Sequence, residues 1–244
     1  MSVDLNRRHA MRALTCCAGI PVMATLGAGA AFAQQAQAPS VLSPAPTGLT
    51  PDAALDLLRQ GNAEFITDAP FRGAENRSRR LEIAAGQHPF VVLVGCSDSR
   101  VSPELLFGRG LGELFIVRVA GNTVDLAGLG SIEYAVAEFG VPLIVVLGHE
   151  RCGAVAAAVE VVENNATFPG RIGDMIEPII PAVLSVRDQP GDLLDNAVRA
   201  NIRRVAAGLP SASTLLADGI AQGKVRVVGA YYDLEDGVVD FMES

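Results

Sequence analysis

The chain has 244 residues, half of them apolar, and a formal net charge of −8 at pH 7. This length and this apolar content predict one folded domain with short appendages, and they exclude a disordered chain. The acidic balance, in which Lys224 is the single lysine beside eighteen arginines, argues against binding to nucleic acid or to an anionic membrane surface.

The first 33 residues have the composition of an export signal. Arg7 and Arg8 precede a stretch rich in alanine and glycine, and residues 31–33 (Ala-Phe-Ala) form a small-x-small cleavage site. This pattern predicts a signal peptide over residues 1–33, cleaved near Ala33, and the paired arginines favour the bacterial twin-arginine route. An uncleaved anchor is the alternative, although the stretch barely reaches spanning length. The mature protein is expected in the periplasm or outside the cell, with no stable membrane association.

The rest of the chain divides into a linker and one domain. Residues 34–49 are rich in glutamine, alanine and proline and predict a flexible linker before a domain over residues 50–244. Alternation of apolar runs with amphipathic stretches predicts an α/β fold, with a mostly parallel central β-sheet flanked by helices. The predicted strands are 90–95, 114–119, 143–148, 225–232 and an edge strand at 238–242. The predicted helices are 51–66, one ending near 86, 103–106, 131–139, 153–162, 172–187, 193–207 and 211–221.

Two of the four cysteines belong to the predicted mature protein, and each follows a predicted strand. Cys96 comes directly after the run 90–95, and His149 and Cys152 follow the run 143–148. Because open α/β sheets place their chemistry at the carboxyl ends of parallel strands, these side chains are expected to lie close together. Two thiolates and an imidazole are ligands that a catalytic zinc takes before it leaves a position open. The sequence therefore predicts one zinc ion per chain on these three residues.

Asp98 and Arg100 lie beside the first candidate ligand, two residues apart, and this spacing allows a bidentate ion pair. A salt bridge that only stabilises the loop is the ordinary interpretation, but the position beside Cys96 favours a catalytic one. Two thiolates neutralise the charge of Zn²⁺, so an ionised Asp98 that orients the nucleophile would compensate. If Arg100 released Asp98, that carboxylate would become a fourth metal ligand and close the site. Activity is therefore expected to fall as the pH drops.

The motif C-x-D-x-R at 96–100, followed about fifty residues later by H-x-x-C at 149–152, resembles the signature of the β-class carbonic anhydrases. The similarity covers roughly residues 50–243, with further matches at 87–89, 112–118, 120–122, 130–136 and 228–234. The resemblance implies an enzyme that interconverts CO₂ and bicarbonate through a zinc-bound hydroxide. Cys96, His149 and Cys152 would be the zinc ligands. Asp98 and Arg100 would be the catalytic pair.

The same resemblance implies a substrate pocket and an assembly. Plant-type members carry a substrate-binding glutamine nine residues before the first cysteine ligand, where this chain has Gln87. Phe115, Ala120 and Tyr134 match positions that line the apolar pocket for CO₂. The ordinary alternative for Phe115 and Tyr134 is packing in the core. Members of the family are dimers at minimum and often tetramers, so a homodimer or tetramer is expected.

Three other functions stay open at this point. Some relatives with the same ligands hydrolyse carbonyl sulfide or carbon disulfide, and the access tunnel that decides between these substrates is not visible in a sequence. A second alternative is a non-catalytic protein in which Asp98 permanently closes a structural zinc site, although such a site does not need Arg100. A third is a thiol protein in which Cys96 and Cys152 form a disulfide, or in which His149 activates Cys96 as a nucleophile.

Overall fold

A mostly parallel sheet organises residues 47–242, which are the residues that the computed structural model describes. The strands of this sheet are β1 (Val91–Gly95), β2 (Leu114–Arg118), β3 (Leu143–His149), β4 (Arg226–Tyr232) and β5 (Val239–Met242). They lie in the order β2-β1-β3-β4-β5, and β5 runs antiparallel to β4 while the other pairs are parallel. The predicted α/β fold class is confirmed. The predicted signal peptide and most of the predicted linker lie outside the described residues.

Helices cover both faces of this sheet. They are α1 (Pro51–Phe65), α2 (Arg77–Ile83), α3 (Pro103–Leu106), α4 (Leu126–Phe139), α5 (Gly153–Asn164), α6 (Ile172–Ile176), α7 (Ile180–Val186), α8 (Leu193–Ala212) and α9 (Thr214–Ala221). A short 3-10 turn, Glu177–Ile179, joins α6 to α7. Within residues 47–242, no helix has both the length and the apolar content needed to cross a membrane.

Two predicted helices differ from the observed ones because a capping residue and two prolines determine where these helices begin. Helix α4 begins at Leu126 instead of residue 131, since the side chain of Asp125 caps it by accepting a hydrogen bond from the Gly128 N–H at 2.7 Å. The glycines in its first turns lower helix propensity and conceal this start in the sequence. The predicted helix 172–187 is interrupted, because Pro178 and Pro181 each begin a new helical segment.

The boundary between the last two helices was also wrong. Helix α8 continues to Ala212 instead of ending at residue 207, and it includes Pro210 near its end. Helix α9 therefore begins at Thr214 instead of residue 211. Its cap is Ser213, whose hydroxyl accepts a hydrogen bond from the Leu216 N–H at 3.2 Å. The capping residue Ser213 therefore indicates the start of α9 more reliably than Gly208 indicates the end of α8.

Alternation along the strands builds one core on each face of the sheet. On β3, Ile144 and Val146 join the core formed with α4, α5, α7 and α8, whereas Leu143, Val145 and Leu147 join the core formed with α1 and α3. All five side chains are fully buried. Each such side chain stabilises the fold by about 1.5–3 kcal/mol through the hydrophobic effect. Burial on both faces explains why this strand is a continuous apolar run.

The strand order creates a crevice at the carboxyl ends of β1 and β3. These two strands are neighbours, but the chain leaves β1 toward β2 on one side and leaves β3 toward β4 on the other. Open α/β sheets form their ligand-binding crevice at a switch point of this kind. The residues that follow Gly95, and those at the end of β3, are thereby placed in the crevice.

Candidate metal centre

The three predicted ligands meet at this crevice. Cys96 follows β1, His149 is the last residue of β3, and Cys152 directly precedes α5. All three side chains are buried, and their ligand atoms lie within 4.8 Å of one another. The Sγ atoms of Cys96 and Cys152 are 3.9 Å apart. This separation is too long for a disulfide, whose S–S length is about 2.05 Å, and it suits two sulfurs that share one ion.

His149 offers a single ring nitrogen to this cluster. Its Nδ1 lies 2.9 Å from the carbonyl oxygen of Glu150, which assigns the ring proton to Nδ1 and makes it the donor. Its Nε2 is buried and has no hydrogen-bond partner among residues 47–242. An unsatisfied buried nitrogen destabilises the fold unless a ligand uses it. The lone pair of Nε2, beside two cysteine sulfurs, fits a metal ion.

The two thiols of the cluster share their protons unequally. Contact with the Cys152 sulfur is the largest cause that lowers the pKa of Cys96, to about 4; burial opposes it, and the neighbouring His149 ring and the N–H groups of Gly121 and Asp98 add to it. The pKa of Cys152 is raised, first by the same sulfur contact and then by burial. The pair therefore loses one proton readily and keeps the second until a cation displaces it.

Asp98 borders the cluster but is held by Arg100. The Nε and Nη2 atoms of Arg100 donate to Oδ1 and Oδ2 of Asp98 at 3.0 and 2.8 Å, and the Arg100 backbone N–H donates to Oδ1 at 2.9 Å. The hydrogen bonds from the guanidinium are the main reason that the pKa of Asp98 lies well below its usual range. The Asp98 Oδ2 atom lies 3.8 Å from Nε2 of His149. The ion pair expected from the sequence is present.

The predicted pocket residues come from separate elements. Gln87 is half-buried in the segment before β1, Phe115 lies on β2, Ala120 lies in the turn after β2, and Tyr134 lies on α4. The ring centroids of Phe115 and Tyr134 are 6.4 Å apart. The Phe139 centroid lies 6.2 Å from that of Phe115 and 5.3 Å from that of Tyr134. Phe115 is half-buried in this aromatic cluster, whereas Tyr134 is 39% exposed. A role of these four residues in substrate binding stays a prediction.

Two residues that the sequence analysis missed hold the loops of the centre. Arg118, at the end of β2, donates from Nε to the Cys96 carbonyl oxygen at 2.8 Å and from Nη2 to the Asp98 carbonyl oxygen at 2.7 Å. Glu150 orients His149 through its carbonyl oxygen, and its carboxylate accepts a hydrogen bond from the Leu234 N–H at 3.2 Å. In the parallel pairing of β1 with β2, Arg118 lies opposite Gly95, the residue before Cys96. This neighbouring position is the feature that could have indicated a role for Arg118 at the site.

Known proteins resemble this chain in sequence and in fold. Residues 91–239 match the family model described as "Carbonic anhydrase". The chain is 42% identical over 188 residues to "Carbonic anhydrase 2" of Mycobacterium tuberculosis, covering 77% of this chain and 90% of that relative. It is 40% identical over 190 residues to a carbonic anhydrase of Mycolicibacterium smegmatis, covering 78% of this chain and 92% of the relative.

Among solved structures, a tetrameric β-carbonic anhydrase of the ascomycete Sordaria macrospora resembles this fold with a TM-score of 0.62 at 24% identity. The match covers 69% of this chain and 88% of that one. At this identity the likeness is one of fold. The segment matched by the family model carries all three candidate ligands and the neighbouring ion pair.

Proposed function

The chain belongs to the carbonic anhydrase family, whose enzymes interconvert carbon dioxide and bicarbonate, and we propose that Cys96, His149 and Cys152 are its zinc ligands. The observation that carries this assignment is the buried Nε2 of His149. It has no hydrogen-bond partner among the described residues, and it lies within 4.8 Å of both cysteine sulfurs. Two sulfurs and one imidazole nitrogen leave a fourth position open for catalysis. Zinc held by these three residues would acidify water and so supply the nucleophile for CO₂ hydration.

The residues around the ligands have separate roles in this proposal. Asp98, kept ionised and turned aside by Arg100, accepts a hydrogen bond from the attacking water and orients it toward the substrate. Gln87 donates from its amide to the oxygen on which negative charge develops. Phe115, Ala120 and Tyr134 form the apolar wall that holds CO₂ and excludes bulk water.

Stopped-flow CO₂ hydration on the zinc-quantified protein tests this function with a matched pair of variants. In Asp98→Asn the orienting charge is lost while the size is kept, so the hydration rate is expected to fall at least about 100-fold with zinc still bound. The control is Asp56→Asn, which removes a carboxylate from an exposed aspartate–arginine pair on α1 and should leave the rate unchanged.

The same assay distinguishes the alternatives. Zinc-loaded protein without hydration activity would contradict the proposed role of the site, and a carbonyl sulfide assay on that sample would then separate the sulfur-substrate hydrolases from a closed structural zinc site. An Asp98→Asn variant as active as the wild type would contradict the role of Asp98 alone.

We also propose that the enzyme assembles as a homodimer or tetramer. The Sordaria macrospora proteins of similar fold are tetrameric. On the described part of this chain, large apolar side chains face the solvent, among them Leu81, Leu126 and Leu184, which are 60%, 87% and 56% exposed. Scattered apolar side chains are ordinary on the surface of a monomer. Leu126, the first residue of α4, is almost fully exposed, however, and such a side chain is suited to burial against a second copy of the chain.

We propose, finally, that residues 1–33 are an export signal and that the mature enzyme is periplasmic or secreted. The support is the sequence pattern of paired arginines, apolar stretch and Ala-Phe-Ala site. Amino-terminal sequencing of protein from a bacterial periplasm is expected to begin at Gln34, and replacement of Arg7 and Arg8 by lysine should abolish this export. A periplasmic protein that still begins at Met1 would contradict cleavage.

A further inference from the structure

Asn201 is a buried amide in α8 with one of its two polar atoms unpaired. Its side chain is fully buried within the apolar core beside Ile202. Its Nδ2 donates to the carbonyl oxygen of Gly121 at 2.8 Å, but its Oδ1 has no hydrogen-bond partner in the described part of the chain. A buried amide oxygen without a partner destabilises the fold. Its presence therefore calls for another reason.

The residue that Asn201 holds also contacts a candidate zinc ligand. The Gly121 N–H donates to Sγ of Cys96 at 3.3 Å. Gly121 has a φ of +77°, and a Cβ built there would lie 2.6 Å from Cδ1 of Ile179 and 3.1 Å from the Cβ of Ala154. The positive φ and the close packing against Ile179 and Ala154 therefore favour glycine here. Glycine is also the residue with the greatest backbone freedom, so the direction of its N–H is not fixed by its own conformational preference.

We propose that Asn201 is a positioning residue for the metal centre. By anchoring the carbonyl oxygen of Gly121, Asn201 restrains the backbone at this residue, and so helps to maintain the hydrogen bond from the Gly121 N–H to the Cys96 sulfur. This inference rests on the proposed zinc site. A hydrogen bond to a thiolate withdraws electron density from the sulfur. It therefore offsets part of the charge that two thiolates donate to the metal, and it holds the ligand in place.

The test compares Asn201→Leu with Asn62→Leu, each bound to zinc and, separately, to cobalt(II). Leucine keeps the approximate shape of asparagine and removes the donor. Asn62 is the matched control because it is also a buried amide, 5% exposed, but it lies on α1. Its Nδ2 donates to the Gly237 carbonyl oxygen at 2.9 Å and its Oδ1 accepts from the Val239 N–H at 2.8 Å, so it anchors the turn before β5.

In Asn201→Leu, the zinc dissociation constant, measured by competition with a chromophoric chelator, is expected to rise at least about 10-fold. The thiolate-to-cobalt charge-transfer band should move to lower energy, because the sulfur lone pair loses a hydrogen bond. Asn62→Leu should lower the Tm and leave the dissociation constant and the band unchanged. If Asn201→Leu does not fold, Asn201→Ala removes the same donor without bulk and carries the same expectation.

Three outcomes would overturn the inference. A wild-type dissociation constant and band position in the Asn201 variant would show that Asn201 does not position the ligand. Equal changes in the Asn62 and Asn201 variants would show only a general loss of stability. Failure of the wild-type protein to bind zinc or cobalt(II) would overturn the proposed zinc site, and this inference with it, and that result is distinguishable from the other two.

Discussion

Arg118 connects the end of β2 to the loop that carries Cys96 and Asp98. Its guanidinium donates to the carbonyl oxygens of both residues, at 2.8 and 2.7 Å. These two bonds fix the backbone between a candidate zinc ligand and the candidate catalytic carboxylate. A displacement of about 1 Å at such a position can cost on the order of 100-fold in rate. Arg118 therefore acts on the site through the backbone of Cys96 and Asp98. It does not need to touch a ligand sulfur.

Replacement of this arginine is a direct prediction at the residue scale. Arg118→Met keeps the aliphatic part of the side chain and removes both donors, so zinc affinity is expected to fall about 10-fold and hydration at least as much. Chelator competition and stopped-flow hydration measure the two effects. The control is Arg79→Met on α2, which also removes an arginine that donates to a backbone carbonyl, that of Leu111 at 2.9 Å. Equal behaviour of the two variants would contradict the specific role of Arg118.

The candidate ligands could be predicted because they are chemically distinctive residues directly after buried strands. The groups that hold them could not. Arg118 and Asn201 act on backbone carbonyl oxygens, and a carbonyl acceptor leaves no trace in the identity of its residue. The expectation that Asp98 becomes a fourth ligand at acid pH stays a prediction. In the structure Asp98 is paired with Arg100.

At the scale of elements, the strands could be predicted more closely than the helix ends. Parallel strands buried on both faces are continuous apolar runs, so the limits of β1 and β3 were nearly right. Helix ends were misplaced where Gly128 and Pro210 suggested breaks that packing and capping override. Residues of low helix propensity are tolerated at a position where tertiary contacts hold the segment.

The contact between α1 and α3 depends on a glycine inside a helix. Alanine is usually about 1 kcal/mol more stable than glycine at such a position. At Gly61, however, a Cβ would collide with the carbonyl oxygen of Phe107, and a backbone atom cannot turn aside as a side chain can. Gly61→Ala is therefore expected to lower the free energy of unfolding by about 2–4 kcal/mol. Urea denaturation measures this change.

Gly208→Ala provides the control for this prediction. Gly208 lies on the exposed side of α8, and a Cβ built there meets no atom within 4 Å. Helix propensity should then decide the outcome, so this variant is expected to be more stable than the wild type by about 0.5–1 kcal/mol. A stabilising Gly61→Ala substitution would contradict the close packing of α1 against α3.

Tyr231, on strand β4, has a phenol proton whose loss makes the stability of the fold depend on pH in the alkaline range. Burial, and then the Asp195 carboxylate, raises the pKa of Tyr231, whose ring lies under the Arg199 guanidinium at 3.8 Å. The unfolded chain loses this proton near the usual pKa of about 10, while the folded state still keeps it. The stability contribution is thus complete below about pH 10 and is lost as the pH rises through the higher folded pKa. Tyr231→Phe should make the decline in stability above about pH 10 less steep, as measured by urea denaturation across pH. An unchanged slope would contradict this linkage.

At the scale of the whole molecule, the membership of the family could be predicted because its motifs consist of short runs around the site. The assembly was expected from that resemblance, and no single motif of the chain carries it. An interface between copies depends on which apolar side chains stay exposed, such as Leu126, and this follows from the fold. Export likewise depends on residues 1–33, for which the sequence pattern is the support.

The mass of the protein in solution tests the proposed assembly. Sedimentation equilibrium is expected to give two or four times the mass of one chain, because burial of apolar side chains between copies stabilises association. Dilution should reveal dissociation of a weak assembly. A fully active monomer over the whole concentration range would contradict the proposal.

The most direct test of the account is a zinc-edge anomalous difference map from crystals of the zinc-loaded protein grown at mildly alkaline pH. The account predicts one anomalous peak per chain, bounded by the Sγ atoms of Cys96 and Cys152 and by Nε2 of His149, with the Asp98 carboxylate still paired with Arg100. A peak at another position, or no peak beside these three atoms, would contradict the zinc site. A peak coordinated by Asp98 at that pH would contradict its catalytic role.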